Sequence, residues 1–295
     1  MPKFSNATIA VSGANGHLGR RTIELLLDGG ASHVVALTRD AARLADLAAR
    51  GVDIRVASFD EPAGFAKALS GVERLLMIST NDLARRTAQQ VGAVDAAVAA
   101  GVQHIAYTSV TSPYPDSSPG GYIPDSHFWT EVRIAASGRD FSLLRNNLYT
   151  DFQIPAAQHA IATGTLFHAT GTGTRAFVTR EDCAAAAAGA LLESEGRQVY
   201  DISGPEALSA EDLAALFSRF SGKPVAAQAV SGADLAAGLT AGGVPAEMAG
   251  VLARFETDTA KGLLGIVSDA VEKLTGRGPQ SVGDYLAANR TALSA

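Results

Sequence analysis

The run Thr8-Ile9-Ala10-Val11-Ser12-Gly13-Ala14-Asn15-Gly16-His17-Leu18-Gly19 decides the fold. Thr8–Ser12 is short, apolar and β-rich, and Leu18–Leu27 carries apolar residues at helical spacing. Gly13, Gly16 and Gly19 stand three apart between and into these two segments. A chain that bends sharply from strand to helix and lets a pyrophosphate lie on bare backbone needs residues without a Cβ at such positions. The third glycine brings the helix close to the strand, and the phosphates meet free amides at the positive end of the helix dipole. Dinucleotide binding is therefore expected at Gly13, Asn15, Gly16, His17, Leu18 and Gly19.

The same alternation continues outward. Strands are expected at Val34–Thr38, Asp53–Ala57, Leu75–Ser79, His104–Ser109 and Phe141–Arg145. Helices are expected at Ala41–Arg50, Pro62–Leu69, Arg86–Ala100 and Asp125–Ala136. This rhythm predicts an α/β fold of the Rossmann type, a doubly wound parallel sheet with helices on both faces. Ser112–Pro124 interrupts it with four prolines and two glycines and is read as a loop. Beyond it, Ile154–Ala162, Arg180–Leu192 and Ser209–Phe220 read as helices, Arg175–Thr179 as extended and Val199–Ile202 as a strand. The expected division is a nucleotide-binding domain over 1–150 and a smaller, mainly helical lobe over 151–295, with some segments returning to the main sheet.

The second strand settles which dinucleotide. An NAD site usually ends this strand with an acid that accepts the ribose hydroxyls. Here Val34-Val35-Ala36-Leu37-Thr38 is followed by Arg39, whose guanidinium suits a 2′-phosphate, so NADP(H) is the expected cofactor. Asp40 follows directly and works against that reading. Ligands of open α/β sheets lie beyond the carboxyl ends of the strands, which places Asp60 near the adenine and Ser79 and Thr80 near the ribose and nicotinamide.

Bulk properties exclude other classes. The net charge is −6 with no basic run, so nucleic acid is not an expected partner. The single cysteine, Cys183, rules out an internal disulfide and is read as a small buried residue. No apolar run reaches the ~18 residues of a spanning helix. The opening residues lead straight into a strand, without an export signal. A cytoplasmic protein without membrane attachment or metal, monomeric or homodimeric, is expected.

The residues also carry a resemblance. VSGANGHLG (11–19), HIAYTSV (104–110), HFWTE (127–131), LLRNNLYTDF (143–152) and SGKPV (221–225) together resemble the NmrA-like branch of atypical short-chain dehydrogenases/reductases. The subgroup most similar holds the type 2 NAD(P)H:quinone oxidoreductases and triphenylmethane dye reductases. The resemblance implies NADP(H) on Gly13, Gly16, Gly19, Arg39, Asp60, Ser79 and Thr80, with Thr108 and Asn147 beside the nicotinamide. It implies a cleft for an aromatic small-molecule substrate over the nicotinamide at Tyr107 to Ser109, His127, Asn147, Tyr149 and Phe152, and Trp129, the only tryptophan, is read separately as lining an aromatic substrate pocket.

Common members of that superfamily protonate a carbonyl through a Tyr-x-x-x-Lys pair. This chain has none, and Tyr122 is followed four residues on by Ser126. An acceptor such as a quinone or cationic dye needs less help, because its conjugated system spreads the incoming charge. The expected activity is therefore hydride transfer from NADPH to a quinone or related conjugated aromatic or carbonyl acceptor. His127 is the expected proton donor, oriented by Glu131 one helical turn on, with Ser109 in the usual catalytic-serine neighbourhood. Tyr107 and Ser109 are read as facing opposite sides of strand five. Two other readings stay open: a non-catalytic, NADP(H)-binding redox sensor of the NmrA type, and a ketone or polyketide-type reductase that recognises substrate through the 112–124 loop.

Overall fold

The computed structural model describes residues 1–115 and 123–294. Tyr122 and most of the proline-rich 112–124 loop lie outside the described residues.

Two compact units make up the chain. The first comprises Met1–Asn146, Arg180–Ile202 and Ala270–Arg277. Its elements alternate as the pattern requires: β1 (Thr8–Val11), α1 (His17–Asp28), β2 (His33–Thr38), α2 (Ala45–Ala49), β3 (Asp53–Val56), α3 (Pro62–Ala68), β4 (Arg74–Met77), α4 (Arg86–Ala99), β5 (His104–Val110), α5 (Ile123–Ala136) and β6 (Asp140–Asn146). The helix expected at Ala41–Arg50 is broken: Ala41–Leu44 forms a 3₁₀ turn capped by the Asp40 carboxylate, which accepts the Ala42 amide at 3.1 Å.

The sheet is parallel and seven-stranded, in the order β3-β2-β1-β4-β5-β6-β8, where β8 is Arg197–Ile202. All seven residues of β5 are buried, which suits a strand covered on both faces. Alternation divides the side chains. Ala10, Val35, Leu37, Leu75, Met77, Ile105, Tyr107 and Leu143 form one apolar cluster with Phe65 of α3, Val94 and Ala97 of α4 and Ile134 of α5. On the other face lie α1 and the alanine-rich α7 (Arg180–Glu193), where Cys183 is buried. A Cβ on Gly189 of α7 would stand 2.0 Å from the Leu274 carbonyl of α11 (Ala270–Thr275), so only glycine permits that approach.

The amino edge of the sheet buries Arg74 and His104, which pair in register. Arg74 donates to the Ser194 carbonyl at 2.7 Å and lies over the Phe4 ring, and burial lowers its pKa to about 10. His104 Nε2 bonds Ser142 Oγ at 3.0 Å. Burial first, and Arg74 second, bring its pKa down to about 3.

The second unit comprises Asn147–Thr179, Ser203–Asp269 and Gly278–Ala295. Its core joins Ala157, Ala160 and Ile161 of α6 (Gln153–Thr163) to Leu213, Ala214 and Phe217 of α8 (Ala210–Ser221) and Leu286 of α12 (Val282–Ala288). Ser209 and Asp212 form a capping box on α8. Between them run α9 (Gly232–Ala241) and α10 (Ala246–Ala260). Two strands were not expected: β7 (Thr165–His168) and β9 (Ala226–Ala229) pair in parallel as a separate sheet. Arg175–Thr179, expected to be extended, contributes only isolated bridges, Arg175 to Leu208 and Val178 to Tyr149.

Candidate active site

The carboxyl ends of β1, β2 and β4 gather the expected cofactor residues. Gly13 sits at φ +65°, where side-chain-bearing residues are strained. The Gly16 amide closes the turn on the Gly13 carbonyl at 2.9 Å. A Cβ on Gly19 would lie 2.4 Å from that same carbonyl, so the third glycine is what lets α1 begin here. Gly16 caps α1 without a side chain, leaving the first-turn amides of His17, Leu18 and Gly19 without a side-chain cap. This bare, positively polarised cradle fits a pyrophosphate.

Asn15 ties the cradle to β2. Its Nδ2 donates to Thr38 Oγ1 at 2.6 Å and to the Asp40 carbonyl at 3.0 Å. Arg39 is exposed, and among the described residues its guanidinium makes no ion pair or hydrogen bond. It lines a cavity of about 240 Å³ with Val56, Ala57, Ser58, Glu61 and Gly64, at the ends of β2 and β3 where an adenosine moiety belongs in this topology. Asp40 does not compete for Arg39, because its carboxylate is turned into the 3₁₀ cap. Asp60 is engaged by α4 and the loop before it, accepting from Arg85 at 2.8 Å and Gln89 at 2.8 Å.

Past β4, the Ser79 amide donates to Thr108 Oγ1 at 2.9 Å and the Thr80 amide to Gln90 Oε1 at 3.2 Å. Buried Gln90 donates in turn to Thr130 of α5 at 2.9 Å. The segment expected to border the ribose is thus pinned from β5 and α4.

The residues expected to handle protons are arranged differently from the expectation. His127 is 3% exposed. Its Nε2 lies 2.8 Å from an Arg86 NH group and its Nδ1 2.8 Å from the Tyr107 hydroxyl. A guanidinium only donates, so Nε2 accepts and the ring proton sits on Nδ1, donating to Tyr107. Burial, then the Arg86 charge, hold this imidazole neutral, its pKa well below the ordinary value. Such a ring, with its proton directed at a core tyrosine, is not poised to protonate a substrate. Tyr107 is fully buried in the sheet core, and burial pushes its phenol above its ordinary pKa. It belongs to the packing and not to a substrate surface.

Glu131 does not orient His127. It accepts the Ser109 hydroxyl at 2.6 Å and a two-pronged contact from Arg145, Nε at 3.0 Å and an NH group at 2.6 Å. Tyr107 and Ser109 therefore both reach α5, correcting the opposite-face expectation: residues two apart on a strand share a face. Ser109, Arg145 and Asp201 stand in register across β5, β6 and β8. The Ser109 proton is committed to a carboxylate, and its oxygen keeps lone pairs with which to accept.

Asn147 is buried, its amide holding the Leu264 carbonyl at 2.9 Å and the Leu148 amide at 2.8 Å, so backbone takes up both of its polar ends. Trp129 is 46% exposed, with Nε1 donating to Asp125 at 3.0 Å. Tyr149 and Phe152 pack ring to ring at 6.1 Å, and Phe152 is 57% exposed. Sequence reasoning missed Arg20, Arg86 and Gln90. Their partners lie on other elements, and no local motif marks them.

The profile of the NmrA-like family matches residues 5–286. The chain is 40% identical over 271 residues to quinone oxidoreductase 2 of Escherichia coli (strain K12), covering 91% of this chain and 93% of that one. The structure of NADPH-dependent quinone oxidoreductase from Escherichia coli complexed with NADPH superposes with a TM-score of 0.89 at 37% identity, covering 96% of this chain and 99% of that one. Triphenylmethane reductase of Citrobacter sp. complexed with NADP(H) superposes with a TM-score of 0.87 at 32% identity, covering 95% and 99%.

Proposed function

Because the chain belongs to the NmrA-like family, we propose that it is an NADPH-dependent reductase that passes hydride to a quinone or a related conjugated acceptor. One observation carries the reading: a glycine cradle too tight for any Cβ at Gly19 lies near the exposed Arg39 guanidinium, which has no ion pair or hydrogen bond among the described residues. The likeness to proteins named quinone oxidoreductase and triphenylmethane reductase supports the acceptor class.

NADPH supplies the hydride when bound. The amides of His17 to Gly19 would receive its pyrophosphate, and Arg39 would pair with its 2′-phosphate. Ser79 and Thr80, whose backbone is pinned, would border the ribose and nicotinamide. With no Tyr-x-x-x-Lys pair, with His127 locked in the core and with the Ser109 proton held by Glu131, the chain contributes position and orientation. The hydroquinone anion left by hydride transfer takes its proton from water. A single buried cysteine fits a reducing compartment such as the cytoplasm.

The test mixes purified protein, NADPH and a simple benzoquinone and follows loss of dihydronicotinamide absorbance. Quinone-dependent oxidation of NADPH supports the proposal. Binding of NADPH without turnover of any quinone or triphenylmethane dye sinks it.

A further inference from the structure

We propose that Arg20 is a positioning residue for cofactor choice, holding the turn behind Arg39 in register with the phosphate cradle. The proposal rests on the reading of Arg39 as the 2′-phosphate ligand.

Arg20 is the residue immediately after Gly19, on the first turns of α1. Its guanidinium crosses to the segment after β2 and makes a fork. One NH group donates to Asp46 Oδ2 at 2.6 Å, and the other donates to Asp46 Oδ1 at 3.1 Å and to the Arg43 carbonyl at 3.0 Å. A two-pronged arginine–carboxylate contact fixes direction as well as distance. Asn15, on the other side of the cradle, makes the companion contacts to Thr38 and Asp40.

The stretch 15–20 is thus fastened twice to the stretch 38–46, and Arg39 is carried between the two fastenings. The amides that would meet the pyrophosphate and the guanidinium that would meet the 2′-phosphate become parts of one preset frame. A ligand bearing both phosphates gains from that frame, because Arg39 need not be ordered on binding. A ligand without the 2′-phosphate draws on the cradle alone. The Arg20–Asp46 fork therefore contributes to discrimination and not to general affinity.

The test titrates the protein without cofactor, by calorimetry, with 2′,5′-ADP and separately with ordinary ADP. Arg20→Ala is expected to weaken 2′,5′-ADP roughly threefold to fivefold, the range of a well-formed surface pair, and to leave ADP within about twofold. Arg20→Lys restores part of the loss. In an Arg39→Ala background, Arg20→Ala makes no further difference to 2′,5′-ADP, because the two effects share one route. Should Arg20→Ala fail to fold, Asp46→Asn removes the fork with little change of shape and is expected to give the same pattern. Equal weakening of both ligands, or an undiminished effect in the Arg39→Ala background, overturns the proposal. If Arg39→Ala alone leaves 2′,5′-ADP binding unchanged, the failure lies in the assignment of Arg39.

Discussion

The Ser109 hydroxyl donates a hydrogen bond to Glu131, 2.6 Å away, and Arg145 holds the same carboxylate from the neighbouring strand. If Ser109 supplied the proton for the reduced acceptor, Ser109→Ala would lower kcat by the roughly 10²-fold or more typical of a lost general acid. With the proton coming from water, kcat is expected to stay within about tenfold. Steady-state turnover of NADPH and a benzoquinone decides between the two.

Arg39→Ala removes a charge-assisted contact to the 2′-phosphate. It is expected to raise KM for NADPH by about 10- to 100-fold and to leave KM for NADH nearly unchanged. Arg39→Glu is expected to lose NADPH further, through repulsion. Parallel saturation curves with the two dinucleotides measure both effects, and an unchanged ratio removes the 2′-phosphate assignment.

Gly19→Ala drives a methyl to 2.4 Å from the Gly13 carbonyl, a contact the backbone on both sides must relieve by moving. Overpacking of this kind costs about 1–3 kcal/mol. The cradle opens as it yields, so NADPH affinity is expected to fall about tenfold or more alongside a lower Tm. Thermal melts with and without NADPH check this: the ligand-induced rise in Tm shrinks together with Tm itself.

His104 and His127 are held neutral by burial, one with its pKa down to about 3 and the other well below its ordinary value of 6.5. In the unfolded chain both take up protons as the pH falls through about 6.5, while the folded chain resists. Their contribution to stability is therefore whole above that pH and is lost on acidification, for His104 down toward about pH 3, by up to ~1.4 kcal/mol per pH unit while a ring titrates only in the unfolded chain. Urea unfolding at about pH 7 and about pH 5 should show it, and His104→Asn should reduce the slope by about one proton. A slope identical in wild type and variant would contradict the assignment.

His127→Phe is expected to act on stability before it acts on chemistry. It takes an acceptor from buried Arg86 and a donor from buried Tyr107, at a cost of roughly 2–5 kcal/mol. The folded fraction should keep kcat within about tenfold, with no change in the pH profile of kcat between about pH 6 and 8.

What was legible in the sequence was what is local. Gly13, Gly16 and Gly19 declare their turn because the strand before and the helix after are both written within twenty residues. The parallel sheet with helices on both faces follows from the alternation that begins there. The four-residue strands β7 and β9 escaped because each is only partly buried and shows no alternation to read. The partner of Glu131 depends on how α5 is rotated over β5, and spacing along one helix does not contain that angle. Arg20 looked like any surface arginine, since its acid lies 26 residues on and meets it only after β2 has crossed back beside β1. The burial of Tyr107 follows from β5 being central, a property of the assembled sheet.

The sheet-bearing unit is written in three separated stretches, ending at Asn146, Ile202 and Arg277. On the ribosome, then, β6 waits with one edge unpaired until some fifty further residues bring β8, and the part of the sheet face that α7 covers stays open beside α1 for more than thirty. The nascent polypeptide passes through a six-stranded stage with one sticky edge, and a chain released at residue 146 would be caught in it as chaperone client or aggregate. Expression of the first 146 residues as a separate cofactor-binding fragment is therefore a poor engineering route, whereas cuts in exposed loops that leave all three stretches joined or co-expressed preserve the seventh strand and its helix.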